Sequence, residues 1–468
     1  MGSEYTAVSF ARLNRHMKSW MRALPLALFL AGCVVQVKPT ARDQAPAPPP
    51  PPAQRVVRER PPPTPAPRLA PSARRPQATP TLLLVSIDAF RPDYLKRGQT
   101  PTLNRMAASG VRAQAMQPSF PSKTFPNHYT IVTGLYPDHH GIVANSMFDP
   151  RIGRFSLGNR AAVGDGRWWN EAEPIWVTAD KHGMRTATMF WPGSSARIHG
   201  YRPDYWRPYD GRLTPRQRVR QVLRWLDLPP RQRPHFLTLY FDRVDHAGHA
   251  YGPGPSRQLD ATLYRIDSAL GLLVDGLRKR HLYRHINIIV VSDHGMARSP
   301  ARNTIYLDRL IDMRDVDAVT MGELASLIPR RGHRRAVRKA LLRPHRHMRC
   351  WDKHHIPARL HYGRNARVPP IICSPQVGWR ITTHRWMAHH RPERGSHGYD
   401  NAAPSMRALF IAHGPAFRRG MLVPEFPNVD VYPLMMHVLG LPPRPNDGHF
   451  RAVRDMLRKH ADKARWHD

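Results

Sequence analysis

Leu82-Leu83-Leu84-Val85-Ser86-Ile87-Asp88 is an apolar run closed by a carboxylate, and the pattern returns twice. Phe236-Leu237-Thr238-Leu239-Tyr240-Phe241 leads into Asp242 and Asp245, and Ile286-Asn287-Ile288-Ile289-Val290-Val291 leads into Asp293-His294. Short, nearly continuous apolar runs of this kind predict strands covered on both faces by helices. Between the last two, Leu259, Leu263, Ile266, Leu270, Leu273 and Leu277 recur at steps of four and three, an amphipathic helix laid on the sheet. The stripe stops at Arg278-Lys279-Arg280, too soon for a coiled coil. The alternation gives an α/β fold, a central sheet with helices on both faces. Open sheets of this class hold ligands beyond the carboxyl ends of their strands, where the acidic residues fall here. One carboxylate after a strand is commonly a helix cap. Three such ends, two with an adjoining His, point instead to a metal site.

Outward from this core the chain changes character. From Pro39 to about Pro80 it is Pro, Ala and Arg, including the run Pro48 to Pro52, so residues 34–80 read as an extended spacer. Before it, basic Lys18 and Arg22, the apolar run Ala23 to Leu30 and Leu30-Ala31-Gly32-Cys33 form an export signal over residues 1–33. The order resembles a bacterial lipoprotein signal, in which the Cys, here Cys33, is lipidated; each acyl CH₂ buried in lipid contributes about 0.8 kcal/mol to anchoring. The apolar run is too short to span a membrane as an ordinary helix. Met17 and Met21 are alternative starts. The expected location is outside the cytoplasm, periplasmic or at the cell surface, on a membrane anchor. Cys350 and Cys373 are either a disulfide, as an oxidising compartment allows, or a pair of buried thiols.

The 468 residues suffice for one large α/β domain with insertions or for two domains, and a hydrophobic fraction of 41% supplies a core. The net charge of +38 attracts anionic partners unless it is simply an Arg-rich composition spread over solvated faces. The catalytic domain is placed at 81–448, with an insertion at about 302–390 that breaks the strand–helix rhythm, and 449–468 as a basic tail or helix. Within the insertion Arg330 to Arg349 is dense in Arg and His, either an anion-steering patch or a solvated helix face. His345, His347, Cys350, His354 and His355 match no structural zinc spacing.

Asp245 and His249 are four apart, which on a helical turn points both side chains one way. His397 lies in Gly395-Ser396-His397-Gly398-Tyr399-Asp400-Asn401, where flanking glycines suit a backbone packed around a functional side chain. Oxygen and imidazole ligands without thiolate suit Zn2+, with Mn2+ as competitor. In that company Thr124, in Lys123-Thr124-Phe125-Pro126-Asn127-His128 and followed by Asn145, reads as the nucleophile of a metal-dependent phosphoryl-transfer enzyme.

These motifs resemble the nucleotide pyrophosphatase/phosphodiesterase family of the alkaline phosphatase superfamily, and the signal segment suggests a bacterial member. The likeness rests on Ser86 to Arg91, Lys123 to His128, His140 to Asn145, Asp245 to His249, Ser292-Asp293-His294-Gly295-Met296 and His397 to Asn401, in the family's order. The resemblance implies an alkaline-phosphatase-like fold and two Zn2+. One would be held by Asp245, His249 and His397, the other by Asp88, Asp293, His294 and the Thr124 oxygen. It also implies a phospho-threonine intermediate on Thr124. Asn145 would bind a phosphoryl oxygen, with the Phe125 N–H as second donor. Phe125 would stack on a base, with Tyr205 or Tyr209 on the opposite face or merely packed in the core or rim. Ala89 and Arg243-Val244 depart from the family pattern without removing a ligand.

Thr124 cannot mature to the formylglycine of a sulfatase, and Thr with Asn suits a diester better than the Ser and Arg clamp of a monoesterase. The expected activity is release of nucleoside 5′-monophosphates from nucleotide diesters or pyrophosphates, with no stable nucleic-acid partner. The alternatives are a membrane-anchored lysophospholipid or choline phosphodiesterase and a non-catalytic cationic binding lipoprotein.

Overall fold

β1 (Thr81–Ile87) lies at the heart of an eight-stranded sheet because it is apolar on both faces. Leu83, Val85 and Ile87 enter one buried cluster, and Leu82 and Leu84 the other. The computed structural model describes residues 80–458; the leader, Cys33, nearly all of the spacer and residues 459–468 lie outside it. The main sheet also contains β2 (Val111–Ala113), β3 (Thr186–Met189), β4 (Tyr205–Trp206), β5 (Phe236–Phe241) and β6 (Ile286–Val291). The inserted segment carries β7 (Val316–Thr320), β8 (Ala325–Pro329), β9 (Met348–Asp352) and β10 (Ile371–Pro375), and the chain returns to the main sheet with β11 (Phe410–His413) and β12 (Met421–Val423).

The order is β12-β2-β11-β6-β1-β5-β3-β4. β1 runs parallel to β5 and β6, and β11 lies antiparallel to β6. Register matters most here. Ile87 faces Phe241 and Ser86 faces Val291, so Asp88, Asp242 and Asp293 leave the sheet along one edge.

Helices α1 (Pro101–Ser109), α2 (Thr124–Thr133), α3 (Pro215–Leu226), α4 (Arg243–Tyr251), α5 (Arg257–Lys279) and α6 (Val431–Leu439) surround the sheet. α5 buries the six-residue stripe read from the sequence, and the Ser256 side chain caps it by accepting from Leu259 N. Shortening one of those leucines to Ala removes about 2–5 kcal/mol. α3 starts with Thr214 and Gln217 in a reciprocal capping box and Pro215 in its first turn, where no backbone N–H is needed. α1, α3 and α5 cover the Leu83 face, and α2 and α6 the Leu82 face. This is the α/β, alkaline-phosphatase-like architecture expected.

β7, β8, β10 and β9 form a separate antiparallel sheet with its own apolar cluster, in which Leu327, Val337, Leu341 and Ile371 meet. Cys350 and Cys373 sit opposite one another on β9 and β10 and are joined as a disulfide, their Cα atoms 4.0 Å apart. Buried Val453, Met456 and Leu457 carry the core beyond Gly448.

Candidate active site

Asp88 follows β1 directly, Asp293 and His294 follow β6, and α4 presents Asp245 and His249 one turn apart. His397 comes from the loop after Gly395-Ser396. All six are buried. Asp88, Asp293 and His294 bring ligand atoms within 4.8 Å of one another, and so do Asp245, His294 and His397. His294 is therefore common to both clusters, a sharing that the partition into two ligand sets did not anticipate. His249 borders the second cluster: its Nε2 is 3.3 Å from Asp245 Oδ1, and its ring centroid is 5.1 Å from that of His397.

The imidazoles are oriented from behind. Nδ1 of His294 donates to Gly295 O, Nδ1 of His397 to Ser122 O, and Nδ1 of His249 to Gly395 O, each at 2.9 Å. A carbonyl can only accept, so each Nδ1 carries the hydrogen, which leaves Nε2 as the ring nitrogen facing the cluster. Asp88 Oδ1, Asp245 Oδ1, Asp293 Oδ2 and His397 Nε2 are buried without a hydrogen-bond partner. An unsatisfied buried polar atom costs about 1–3 kcal/mol, so four converging ones are unfavourable unless a cation completes them. Their donor chemistry fits Zn2+ or Mn2+.

Electrostatics at Asp88 and His397 agree with that fit. Burial, then the carboxylates of Asp293 and Asp245, push Asp88 well above the ordinary carboxylate range. Burial and neighbouring His294 hold His397 well below the usual imidazole range, so it stays neutral and able to ligate. Burial alone would lower His249, but Asp245 and Glu393 outweigh it and push His249 up. Glu393 Oε2 lies 2.6 Å from His249 Nδ1.

Thr124 opens α2, with its Oγ1 3.3 Å from His294 Nε2. Lys123, the residue before it, makes no side-chain cap bond. Asn145 serves there instead: its Oδ1 accepts from Phe125 N at 2.9 Å, while its Nδ2 is buried without a hydrogen-bond partner. The side-chain amide is thus held by its oxygen and open at its nitrogen. The Phe125 N–H is consumed by this bond, which corrects its expected role as a second oxyanion donor.

The two tyrosines separate. Tyr209 lies beyond the carboxyl end of the sheet; its hydroxyl donates to Asp242 Oδ2 and its ring packs against Phe190 and Tyr240. Tyr205 lies on edge strand β4, donates to Gln232 O at 3.0 Å and stacks on Trp225. Gln232 precedes β5, at the amino edge of the sheet, so Tyr205 is a packing residue and not a wall of this site. Phe125 is half-buried against Phe155 and Trp169. Asp242 is tied up by Arg218 at 3.1 Å and by Tyr209, and stands outside both clusters.

Other residues emerge only in three dimensions. Tyr240 donates to Asp88 Oδ2. His128, one turn after Thr124, donates from Nδ1 to Thr124 O and accepts at Nε2 from Ser86 Oγ, both at 2.8 Å, and lies 3.4 Å from Asp293. Its four-residue spacing from Thr124 on a helix was the available signal. Lys123 Nζ meets Glu323 Oε2 at 3.0 Å, so the turn joining β7 to β8 reaches the start of α2. Gly398 makes room for that lysine: at φ +113 a Cβ would fall 2.4 Å from Lys123 Cε.

Residues 82–400 match the family described as type I phosphodiesterase / nucleotide pyrophosphatase. A pyrophosphatase/phosphodiesterase of Schizosaccharomyces pombe is 39% identical over 402 residues, 82% of each chain. Human ectonucleotide pyrophosphatase/phosphodiesterase family member 1 is 38% identical over 398 residues, 81% of this chain but 42% of the human protein, so the chain spans less than half of that relative. Among solved structures, an inactive form of murine ectonucleotide pyrophosphatase / phosphodiesterase 5 in complex with AMP superposes with a TM-score of 0.78 at 35% identity. The match covers 81% of this chain and all of the murine one. These relatives are eukaryotic and do not bear on a bacterial source. With matched residues, fold and buried acid–histidine clusters in agreement, the chain belongs to the type I phosphodiesterase / nucleotide pyrophosphatase family.

Proposed function

We propose that this chain is a two-metal nucleotide phosphodiesterase in which Thr124 is the nucleophile and Asn145 the phosphoryl-oxygen donor. The observation that carries the reading is the position of Thr124 Oγ1 at a helix start, 3.3 Å from the histidine common to both clusters, with the open Asn145 amide anchored on the N–H of the next residue, Phe125. Asp88, Asp293 and His294, with Thr124, would hold one cation, and Asp245, His249 and His397 the other. Bound divalent cations supply Lewis acidity, which makes an otherwise scarcely ionised alcohol a nucleophile and neutralises phosphoryl charge. Thr124 Oγ gives up its proton, which ends on the departing group or in solvent, and forms the new bond to phosphorus as the bond to the departing oxygen breaks, leaving the nucleoside phosphoryl group on Thr124. Asn145 Nδ2–H donates to a non-bridging oxygen as its charge grows. Water then cleaves the Thr124–phosphate bond, releasing a nucleoside 5′-monophosphate and restoring the hydroxyl. The α2 amino terminus favours the anionic group throughout.

The AMP bound by the murine relative favours nucleotides over lysophospholipids. Phe125 would meet the base, with Tyr209 as the remaining tyrosine for its other face. The export signal and Cys33 anchor, with a bacterial source, complete the reading. The ecto- prefix of the human relative's name is in keeping with export. No helix among the described residues is long and apolar enough to cross a membrane.

Single-turnover hydrolysis of nitrophenyl thymidine 5′-phosphate by wild type and Thr124→Ala tests the nucleophile: the variant should form no covalent adduct and lose turnover. Undiminished turnover refutes the assignment. Faster cleavage of lysophosphatidylcholine than of any nucleotide would transfer the substrate to lipids.

A further inference from the structure

The inserted sheet carries a cationic face that the phosphodiesterase reading does not use. Between Arg330 and Arg349 there is no Asp or Glu. The helix Arg334–Leu341 turns Val337 and Leu341 into the core of the inserted sheet, so its apolar side is already spent. Arg331, Arg334, Arg335, Lys339, Arg343 and Arg346 are all exposed, and among the described residues none of them has an ion-pair partner. Arg338, on the same helix, does find a carboxylate in Asp352, and His333 finds Asp315. The available acids are therefore used at the base of the helix, and the outward cations are left to solvent.

Elsewhere among the described residues some exposed arginines are paired, as Arg314 is with Asp312 and Arg359 with Asp400, and others, as on α3, are not. What distinguishes this face is density: residues 330–349 carry eight Arg and one Lys with no carboxylate among them. A dense, unpaired positive face attracts a surface of opposite charge. Its composition distinguishes between such surfaces. Single-stranded nucleic acid is gripped by aromatic side chains on which bases stack, and there is no Phe, Tyr or Trp between Arg330 and Arg349. A sheet of anionic headgroups needs only charge, and the lipid anchor read from Leu30-Ala31-Gly32-Cys33 would hold the chain at such a surface.

We propose that this face of the inserted sheet docks the domain on an anionic phospholipid surface. Each basic side chain near such a surface strengthens adsorption by about fivefold, and salt weakens it within a Debye length.

The test uses the full chain carrying Cys33→Ser, so that no acyl chain contributes, and sedimentation with vesicles of phosphatidylcholine alone or with about one-third phosphatidylglycerol. Binding is expected only to the mixed vesicles and should fall steeply with salt. Joint Arg331→Gln, Arg334→Gln, Arg335→Gln and Lys339→Gln should weaken it by roughly several hundred-fold. Joint Arg216→Gln, Arg220→Gln, Arg224→Gln and Arg231→Gln, on and after α3, should change it little. Unchanged thermal unfolding and unchanged hydrolysis of a soluble substrate establish that both variants are folded. Equal losses for the two variants would overturn the proposal by making adsorption a property of total charge. So would wild-type chain that ignores mixed vesicles yet binds heparin or single-stranded DNA through the same four residues.

Discussion

Asn145→Asp separates the two ends of the Asn145 side chain. Asp keeps an oxygen to accept from Phe125 N, a bond of 2.9 Å, so the start of α2 stays anchored. It removes the Nδ2–H that is buried without a hydrogen-bond partner, and it puts a negative charge where the phosphoryl oxygen would sit. Losing one preorganised oxyanion donor costs about 10²–10³ in kcat, or roughly 2.7–4 kcal/mol, and the added charge increases the loss. Asn145→Ala lacks the acceptor as well, so it should also lose about 0.5–2 kcal/mol of stability, as when a helix cap is removed. Steady-state kinetics on nitrophenyl thymidine 5′-phosphate, with thermal unfolding and metal content measured on the same samples, give the comparison. The expected pattern is kcat collapsed in both variants, stability lowered only in Asn145→Ala, and metal content equal to wild type. A kcat for Asn145→Asp within about threefold of wild type, a difference under 1 kcal/mol, would refute the donor role.

Four further outcomes follow from the structure. Ala89 sits at φ +56 beside a candidate ligand, so Ala89→Gly should stabilise the fold by about 0.5–1 kcal/mol in denaturant unfolding; a loss of stability would mean that its Cβ packing outweighs the strain. Burial raises Asp430 from 3.8 to about 6, so the folded state binds its proton more tightly than the unfolded chain. The stability associated with that proton is fully present below pH 4 and is lost as pH rises through 6. Asp430→Asn should therefore match wild type near pH 4 and exceed it by about 2–3 kcal/mol above pH 7, and a difference independent of pH would contradict this. Chelation should abolish hydrolysis and lower the unfolding temperature, because four buried ligand atoms then lack partners, with Zn2+ or Mn2+ restoring both; retained activity in metal-free protein would exclude the two-metal reading. Reducing Cys350–Cys373, which closes a loop with a sequence separation of 23, should cost the inserted sheet about 3 kcal/mol, read as faster amide exchange in β7 to β10 with the main sheet unaffected.

The strands and the α5 helix were legible because their residues answer to local rules. β1 must be apolar on both faces to lie in the middle of a covered sheet, and the α5 stripe must repeat at the helical period. The candidate ligands were legible because a parallel sheet delivers whatever follows its strands to one edge. Tyr205 failed for the complementary reason: its distance along the chain from Asp88 says nothing about which end of an edge strand its ring approaches. Tyr240 and Glu323 bear on the site through partners 152 and 200 residues away, and no local period encodes such a meeting.

By itself the sequence determined the fold class, the nucleophile candidate and the chemical kind of the ligands, since these follow from periodicity and from which side chains can donate to a cation. Tertiary structure decided that His294 is common to both clusters, that Asn145 spends its oxygen on Phe125 and leaves its nitrogen open, and that the inserted sheet sends Glu323 to Lys123. Each is a choice of direction for a side chain at fixed identity, and direction is set by what packs behind it.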